Sequence, residues 1–318
     1  MSGRLPYGQG RGAPQTKSVN YIVLKLVGYL RLMRPANLLT AVADILAGVA
    51  VAGYLKTQFS SYLDMLPLAC LCLATLGLYG GGVVFNDVMD ARLDAAERPE
   101  RPIPSGVISR TQAVILGVYL LLVGILAAFT VSMASGILGI AIALSALGYD
   151  RWGKHHDFWG PLNMGLCRGL NLLLGISILP GVLQSFWWLS AVPVIYIAAI
   201  TMISRGEVHG GSNRALRLAV LLYALVLSTI LLISWRNGHL LPTLPFVALT
   251  AFIIFRPLMV AIREPIGPNI GKAVKGGILA LIVINAAWAA AFADWQYALI
   301  ILVLLPVSML LARAFSVT

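Results

Sequence analysis

Residues 86–94 read N-D-V-M-D-A-R-L-D and directly follow an apolar run, ending at Phe85, long enough to cross a bilayer. On a helix advancing 100° per residue, Asn86, Asp87, Asp90 and Asp94 project at roughly 0°, 100°, 40° and 80°, so all four share one quadrant. Like charges that close repel unless a cation sits among them. Clustered carboxylate oxygens at a membrane edge point to a divalent-ion site, with Mg²⁺ shared by a phosphorylated ligand as the expected occupant.

The next residues supply the other half of such chemistry. In A-A-E-R-P-E-R-P-I-P-S-G, Pro99, Pro102 and Pro104 stiffen a loop that presents Arg98 and Arg101. Guanidinium groups bind phosphate oxygens bidentately, so these arginines beside a metal site describe a diphosphate-binding mouth. A later connection holds Tyr149, Asp150, Arg151, Lys154 and the run His155, His156, Asp157, followed by C-R-G-L-N with Arg168 and Asn171. That stretch again reads as phosphate-binding and polar groups at a helix mouth. Lys154 serves either as a phosphate contact or as topogenic charge, and the His-His-Asp run reads as an interfacial polar turn. A third connection, S-R-G-E-V-H-G-G-S-N, contains Arg205 and Glu207; Glu207 is either a second metal contact or the partner of Arg205 or Arg214.

These motifs need a membrane scaffold, and the composition supplies it. Hydrophobic residues make up 59% of the chain and charged residues 11%, with a mean hydropathy of +0.88. Both fractions lie far outside soluble-protein norms, and the chain reads as an all-α polytopic bundle. Candidate spans fall near 38–57, 64–85, 112–130, 131–148, 162–181, 187–204, 215–235, 241–262, 274–293 and 295–313. The connections within 112–148 and 274–313 are so short that either pair could be one irregular element. The expectation is therefore nine helices, or ten, around a central cavity.

Charge sets the orientation. Of the 23 Lys and Arg residues, only Lys56 and Arg236 fall on one side of these spans and 21 on the other, which places the N-terminus and the motif-bearing loops in the cytoplasm. The net charge of +11 is then topogenic; no basic stretch is interleaved with aromatics as nucleic-acid binding would require. Residues 1–20 read as a disordered cytoplasmic tail without signal-peptide features and 21–318 as one transmembrane domain. Residues 21–33 form an interfacial helix ahead of Pro35. Asp44 sits mid-span, where it either lines the cavity or is protonated. Cys70, Cys72 and Cys167 suggest neither a disulfide nor CxxC chemistry.

R-P-A-N at 34–37, N-D-x-x-D-x-x-x-D at 86–94 and R-P-I-P-S-G at 101–106, in this order, resemble the UbiA superfamily of intramembrane prenyltransferases over most of residues 31–290. The strings around 86–106 and S-R-G-E-V-H-G-G are most similar to its UbiA-like EboC branch, associated with moving a metabolite precursor out of the cytosol. The resemblance implies Mg²⁺ bridging a prenyl diphosphate to two acidic motifs, and transfer of the prenyl group to a small acceptor, aromatic or otherwise electron-rich. It implies Asn86, Asp87, Asp90 and Asp94 as metal and diphosphate ligands, Asn37 lining the pocket, Arg101 near the phosphates, and Tyr149 with Lys154 as a further element. The second motif departs from the pattern: Glu207 is its only carboxylate and Arg205 stands where an acid is expected. A catalytically degenerate protein that binds or helps export a metabolite or prenyl diphosphate, alone or with membrane-bound biosynthetic partners, is the alternative. The branch further implies the inner membrane of a bacterium.

Overall fold

The computed structural model describes residues 15–57, 62–156, 158–206 and 212–315. In chain order its helices are α1 (Gln15–Met33), α2 (Pro35–Ala52), α3 (Tyr54–Thr57), α4 (Met65–Glu97), α5 (Arg110–Phe129), α6 (Met133–Arg151), α7 (Trp159–Ile176), α8 (Pro180–Phe186), α9 (Ala191–Ser204), α10 (Asn213–Arg236), α11 (Leu240–Arg263), α12 (Gly267–Phe292), α13 (Trp295–Leu302) and α14 (Leu304–Ala314). Short 3₁₀ turns occupy Tyr62–Asp64, Gly153–His155 and Trp187–Ser190. No strand occurs among the described residues. Helix α1 begins at Gln15, inside the stretch expected as tail, and its apolar residues Ile22, Val23, Leu24 and Leu26 are exposed, as an interfacial helix requires.

Local sequence explains where the helices start and stop. Pro35 opens α2 at a position where a missing N–H costs nothing, and Gly53 ends it with φ 72°. Ser109 and Gln112 form a reciprocal capping box on α5, at 3.2 and 3.1 Å. Asp294 accepts from the Tyr297 N–H at 2.7 Å, so α12 and α13 are separate helices. Ser132 likewise caps α6 and separates it from α5.

Nine segments among the described residues are long and apolar enough to cross a membrane. Helix α7 is not one of them, because Arg168, Asn163, Asn171 and four glycines dilute its hydropathy. It nevertheless packs lengthwise on α2, α6 and α9 within the bundle. Counting it gives ten columns, α8 with α9 and α13 with α14 each forming one, and its bounds of 159–176 replace the expected 162–181.

Helices α2, α7, α9 and α12 form the centre. Lipid offers no hydrophobic drive between helices, so close backbone approach must hold them together. Gly48 of α2 and Gly175 of α7 provide it: a Cβ on Gly48 would lie 2.5 Å from the Leu172 carbonyl oxygen, and one on Gly175 2.5 Å from that of Ile45. Helix α12 presents buried Ala286, Ala287, Ala289, Ala290 and Ala291 to its neighbours. Leucines on α5, α10 and α14 remain exposed as the lipid face.

Candidate functional site

The polar mouth is assembled at the C-terminal end of α4, where it meets the start of α2, the end of α6 and the 98–109 loop. The expected quadrant of acids is present, but it divides between two neighbours. Asn86 and Asp90, near 0° and 40° on the helical wheel, face α6 and the turn after it. Asn86 donates to Asp150 Oδ1 at 2.7 Å, and Lys154 Nζ donates to Asp90 Oδ1. Asp94 and Asp87, near 80° and 100°, face the loop and α2. Arg101 Nη1 lies 2.7 Å from Asp94 Oδ2 and 3.5 Å from Asp87 Oδ1, and Arg34 Nη2 reaches the same Asp87 oxygen at 2.6 Å.

Cations therefore interleave with the acids one for one. Asp87 is 3% exposed and Arg101 8%, so these charges have left water and depend on one another. Among the described residues no three His, Cys, Asp or Glu side chains converge to hold a metal ion. The protein's own arginines and lysine stand between Asn86, Asp87, Asp90 and Asp94, the residues expected as metal and diphosphate ligands. The donor set still suits Mg²⁺. Asp87 and Asp90 offer hard oxygens, and the cations that now occupy them are the groups that pair with phosphate.

The structure sorts the other expected residues. Arg101 joins the cluster, whereas Arg98 ends α4 exposed and among the described residues makes no ion pair. Asn37 is half-buried one turn from Arg34. Tyr149 precedes Asp150 at the end of α6. Arg205 Nη2 donates to the His156 carbonyl at 2.7 Å, so it ties the end of α9 to the turn that carries Lys154. Glu207 and Asp157 lie outside the described residues, as does the His155 side chain.

Arg168 is a clear correction. Expected at a helix mouth, it lies nine residues into α7, is 7% exposed, and donates to Asp44 Oδ2 at 2.6 Å. Its other nitrogen donates to Thr40 Oγ1, and its guanidinium sits over the Tyr79 ring at 5.2 Å. Asp44 further accepts from Asn171 at 3.0 Å and Asn285 at 2.7 Å, while Thr75 donates to Asn171 at 2.7 Å. Of the two expected states of Asp44, the cavity-lining one is seen, joined by an ion pair with Arg168 and a network supplied by α2, α4, α7 and α12. An internal space bordered by Asp44, Asn285, Tyr196 and Trp288 measures about 10 Å³, room for a single water.

Two residues that the sequence did not single out as site residues belong here. Asp150 is buried and accepts from Asn86. Arg34 reads as one more topogenic charge in sequence, yet it carries φ 49°, the one positive φ outside glycine among the described residues. A left-handed conformation costs an L-residue about 1–2 kcal/mol, and the Asp87 ion pair offsets it. Arg34→Ala should lose the pair and keep the strain, while Arg34→Gly loses the pair but relieves the strain. Thermal unfolding in detergent should find the alanine variant less stable than the glycine variant by about 1 kcal/mol; equal stabilities would show that the backbone is not strained.

Fold and mouth together define an integral, multi-pass membrane protein with acids and cations gathered at one end. The chain belongs to the UbiA prenyltransferase family, whose family model matches residues 42–265. A digeranylgeranylglyceryl phosphate synthase of Korarchaeum cryptofilum is 29% identical over 254 residues, covering 76% of this chain and 84% of the relative. Its counterpart in Methanosarcina mazei is 28% identical over 186 residues, and the match spans 57% of this chain and 63% of that relative's length. Among solved structures, a UbiA homolog from Archaeoglobus fulgidus bound to DMAPP and Mg²⁺ superposes with a TM-score of 0.59 at 16% identity, over 80% of this chain and 98% of that one. At that identity it establishes the shared fold. The superfamily thus rests on these matches, and the EboC-like branch on the sequence strings alone. The relatives are mostly archaeal and lend no support to a bacterial inner membrane.

Proposed function

We propose that this chain is an Mg²⁺-dependent prenyltransferase that moves a prenyl group from a prenyl diphosphate to a small acceptor, aromatic or otherwise electron-rich, within the membrane. The observation that carries the reading is the interleaved mouth, Asp87, Asp90 and Asp94 against Arg34, Arg101 and Lys154. Carboxylates alone would hold a metal and cations alone a diphosphate; alternating them suits a ligand that brings both. The Archaeoglobus homolog bound to DMAPP and Mg²⁺ supports the same pairing.

In this reading Asp87 and Asp90 hold Mg²⁺, with Asn86 and Glu207 as further oxygen donors, and Mg²⁺ bound there would neutralise charge developing on the leaving diphosphate. Lys154, Arg34 and Arg101 turn from carboxylates to phosphate oxygens. Asp94 holds Arg101 in place while it does so. Breaking the allylic C–O bond places the electron pair on the diphosphate, where these fixed cations meet it. The apolar bundle keeps water from the prenyl cation until the acceptor attacks, and the proton that the acceptor then loses passes to the released diphosphate. No side chain needs to act as a nucleophile. The charge asymmetry of the connections supports a cytoplasmic mouth.

Arg205, anchored to the His156 carbonyl where the family pattern has an acid, favours a second reading in which the ligand is bound or exported without transfer. One experiment separates the two. Purified protein with Mg²⁺, labelled prenyl diphosphates of several lengths and cell extract should yield a labelled lipid-phase product and pyrophosphate. Binding without pyrophosphate release would select the second reading, and absence of binding would sink both.

A further inference from the structure

A cleft of about 220 Å³ opens between α11 and α12, lined by Arg256, Pro257, Val260, Asn269 and Lys272. The alternation of the helices puts it at the same end of the bundle as the acidic mouth, on a different pair of helices. Pro257 helps to form it. Proline has no N–H, so the Ile253 carbonyl lacks its usual donor one turn later, and α11 is loosened there. Gly276 of α12 packs onto this point: a Cβ there would stand 2.9 Å from the Ile253 oxygen and 3.2 Å from Pro257 Cγ. The helices touch at that contact, and the cleft lies between it and their shared connection. The buried Asn269 amide, donating to the Glu264 carbonyl at 3.1 Å, fixes the connection.

The charge of the cleft is unbalanced. Residues 256–275 hold Arg256, Arg263, Lys272 and Lys275 against the single carboxylate Glu264. Among the described residues none of these four cations is ion-paired, whereas Arg34, Arg101, Lys154 and Arg168 all are. Arg256 is held over the Phe252 ring at 5.6 Å. Topogenic charge needs only to sit beyond a span. Two cations on different helices bordering one cleft repel each other, and an anion between them removes the repulsion. Arg256 lies seven residues before the end of α11, about 10 Å of rise, so its long side chain reaches headgroups by snorkelling toward that end. Met259 and Val260 are exposed apolar neighbours on the lipid side.

We propose that this cleft binds the phosphate headgroup of an anionic membrane lipid, with Arg256 and Lys272 clamping the phosphate oxygens and Met259 and Val260 lying along the acyl chains. The site is independent of the prenyl-transfer reading. Its test is native mass spectrometry of the full chain titrated with phosphatidylglycerol, with phosphatidylcholine, whose headgroup is zwitterionic with no net charge, as the control arm and millimolar inorganic phosphate as competitor. The wild type should retain phosphatidylglycerol at least about tenfold more tightly than phosphatidylcholine, with inorganic phosphate failing to displace it. Arg256→Gln with Lys272→Gln should remove that preference, Lys272→Gln alone should weaken it, and Arg236→Gln at the opposite end should leave it intact. Thermal melting of each variant separates lost lipid from lost fold. Equal retention of the two lipids, an unchanged preference in the double variant of intact fold, or displacement by inorganic phosphate would each overturn the proposal.

Discussion

Asp44→Ala should destabilise the bundle by about 3–5 kcal/mol, the cost of leaving a buried charge without its partner. The stranded charge is that of Arg168, which is 7% exposed and keeps only Thr40 and the Tyr79 ring once the carboxylate has gone. Asn171 and Asn285 lose an acceptor at the same time. Asp44→Leu combined with Arg168→Met should recover most of the loss, because desolvation of two ions in the wild type offsets much of their attraction. Thermal unfolding of the single and double variants in one detergent measures both effects. A single variant as stable as the wild type would mean that Arg168 finds water or another anion, and the closed network would then be wrong.

The second large effect is expected at Asp90. Asp90→Ala frees Lys154, which on charge alone should strengthen diphosphate binding without metal. Removing a metal ligand acts the other way. If Asp90 holds Mg²⁺, binding of a labelled prenyl diphosphate in the presence of Mg²⁺ should fall at least about 100-fold, or about 2.7 kcal/mol, while metal-free binding holds or rises. Mn²⁺ paramagnetic resonance gives a second readout, because the signal of bound metal should disappear. Affinity that falls equally with and without metal would assign Asp90 to positioning Lys154 and remove it from the metal site.

The acidic motif was legible because helical period is local: residues 86–94 project correctly from sequence spacing alone, and even the division of the quadrant follows the same angles. The span pattern was legible from hydropathy, α7 included, although its polar residues, which serve other helices, blurred its bounds. Which loop arginine turns inward was not legible from the residues themselves, although the family resemblance pointed to Arg101. Arg98 and Arg101 sit three apart in one proline-rich loop, and only packing against Asp94 distinguishes them. Arg168 was misread because its partner is 124 residues away, and pairwise chemistry over that separation leaves no local trace. Arg34 was hidden by its company, one cation among the many that set orientation.

The Asp44–Arg168 pair also constrains biogenesis. Each charge alone adds about 2.5–3.5 kcal/mol to the insertion of its helix at mid-bilayer, and α7 is already the least apolar column. Cancelling that penalty requires α2 to be waiting when α7 leaves the translocation machinery, although four columns are synthesised before it. The pair thus acts as an assembly register, joining the first column to the fifth around the columns that carry the acidic mouth.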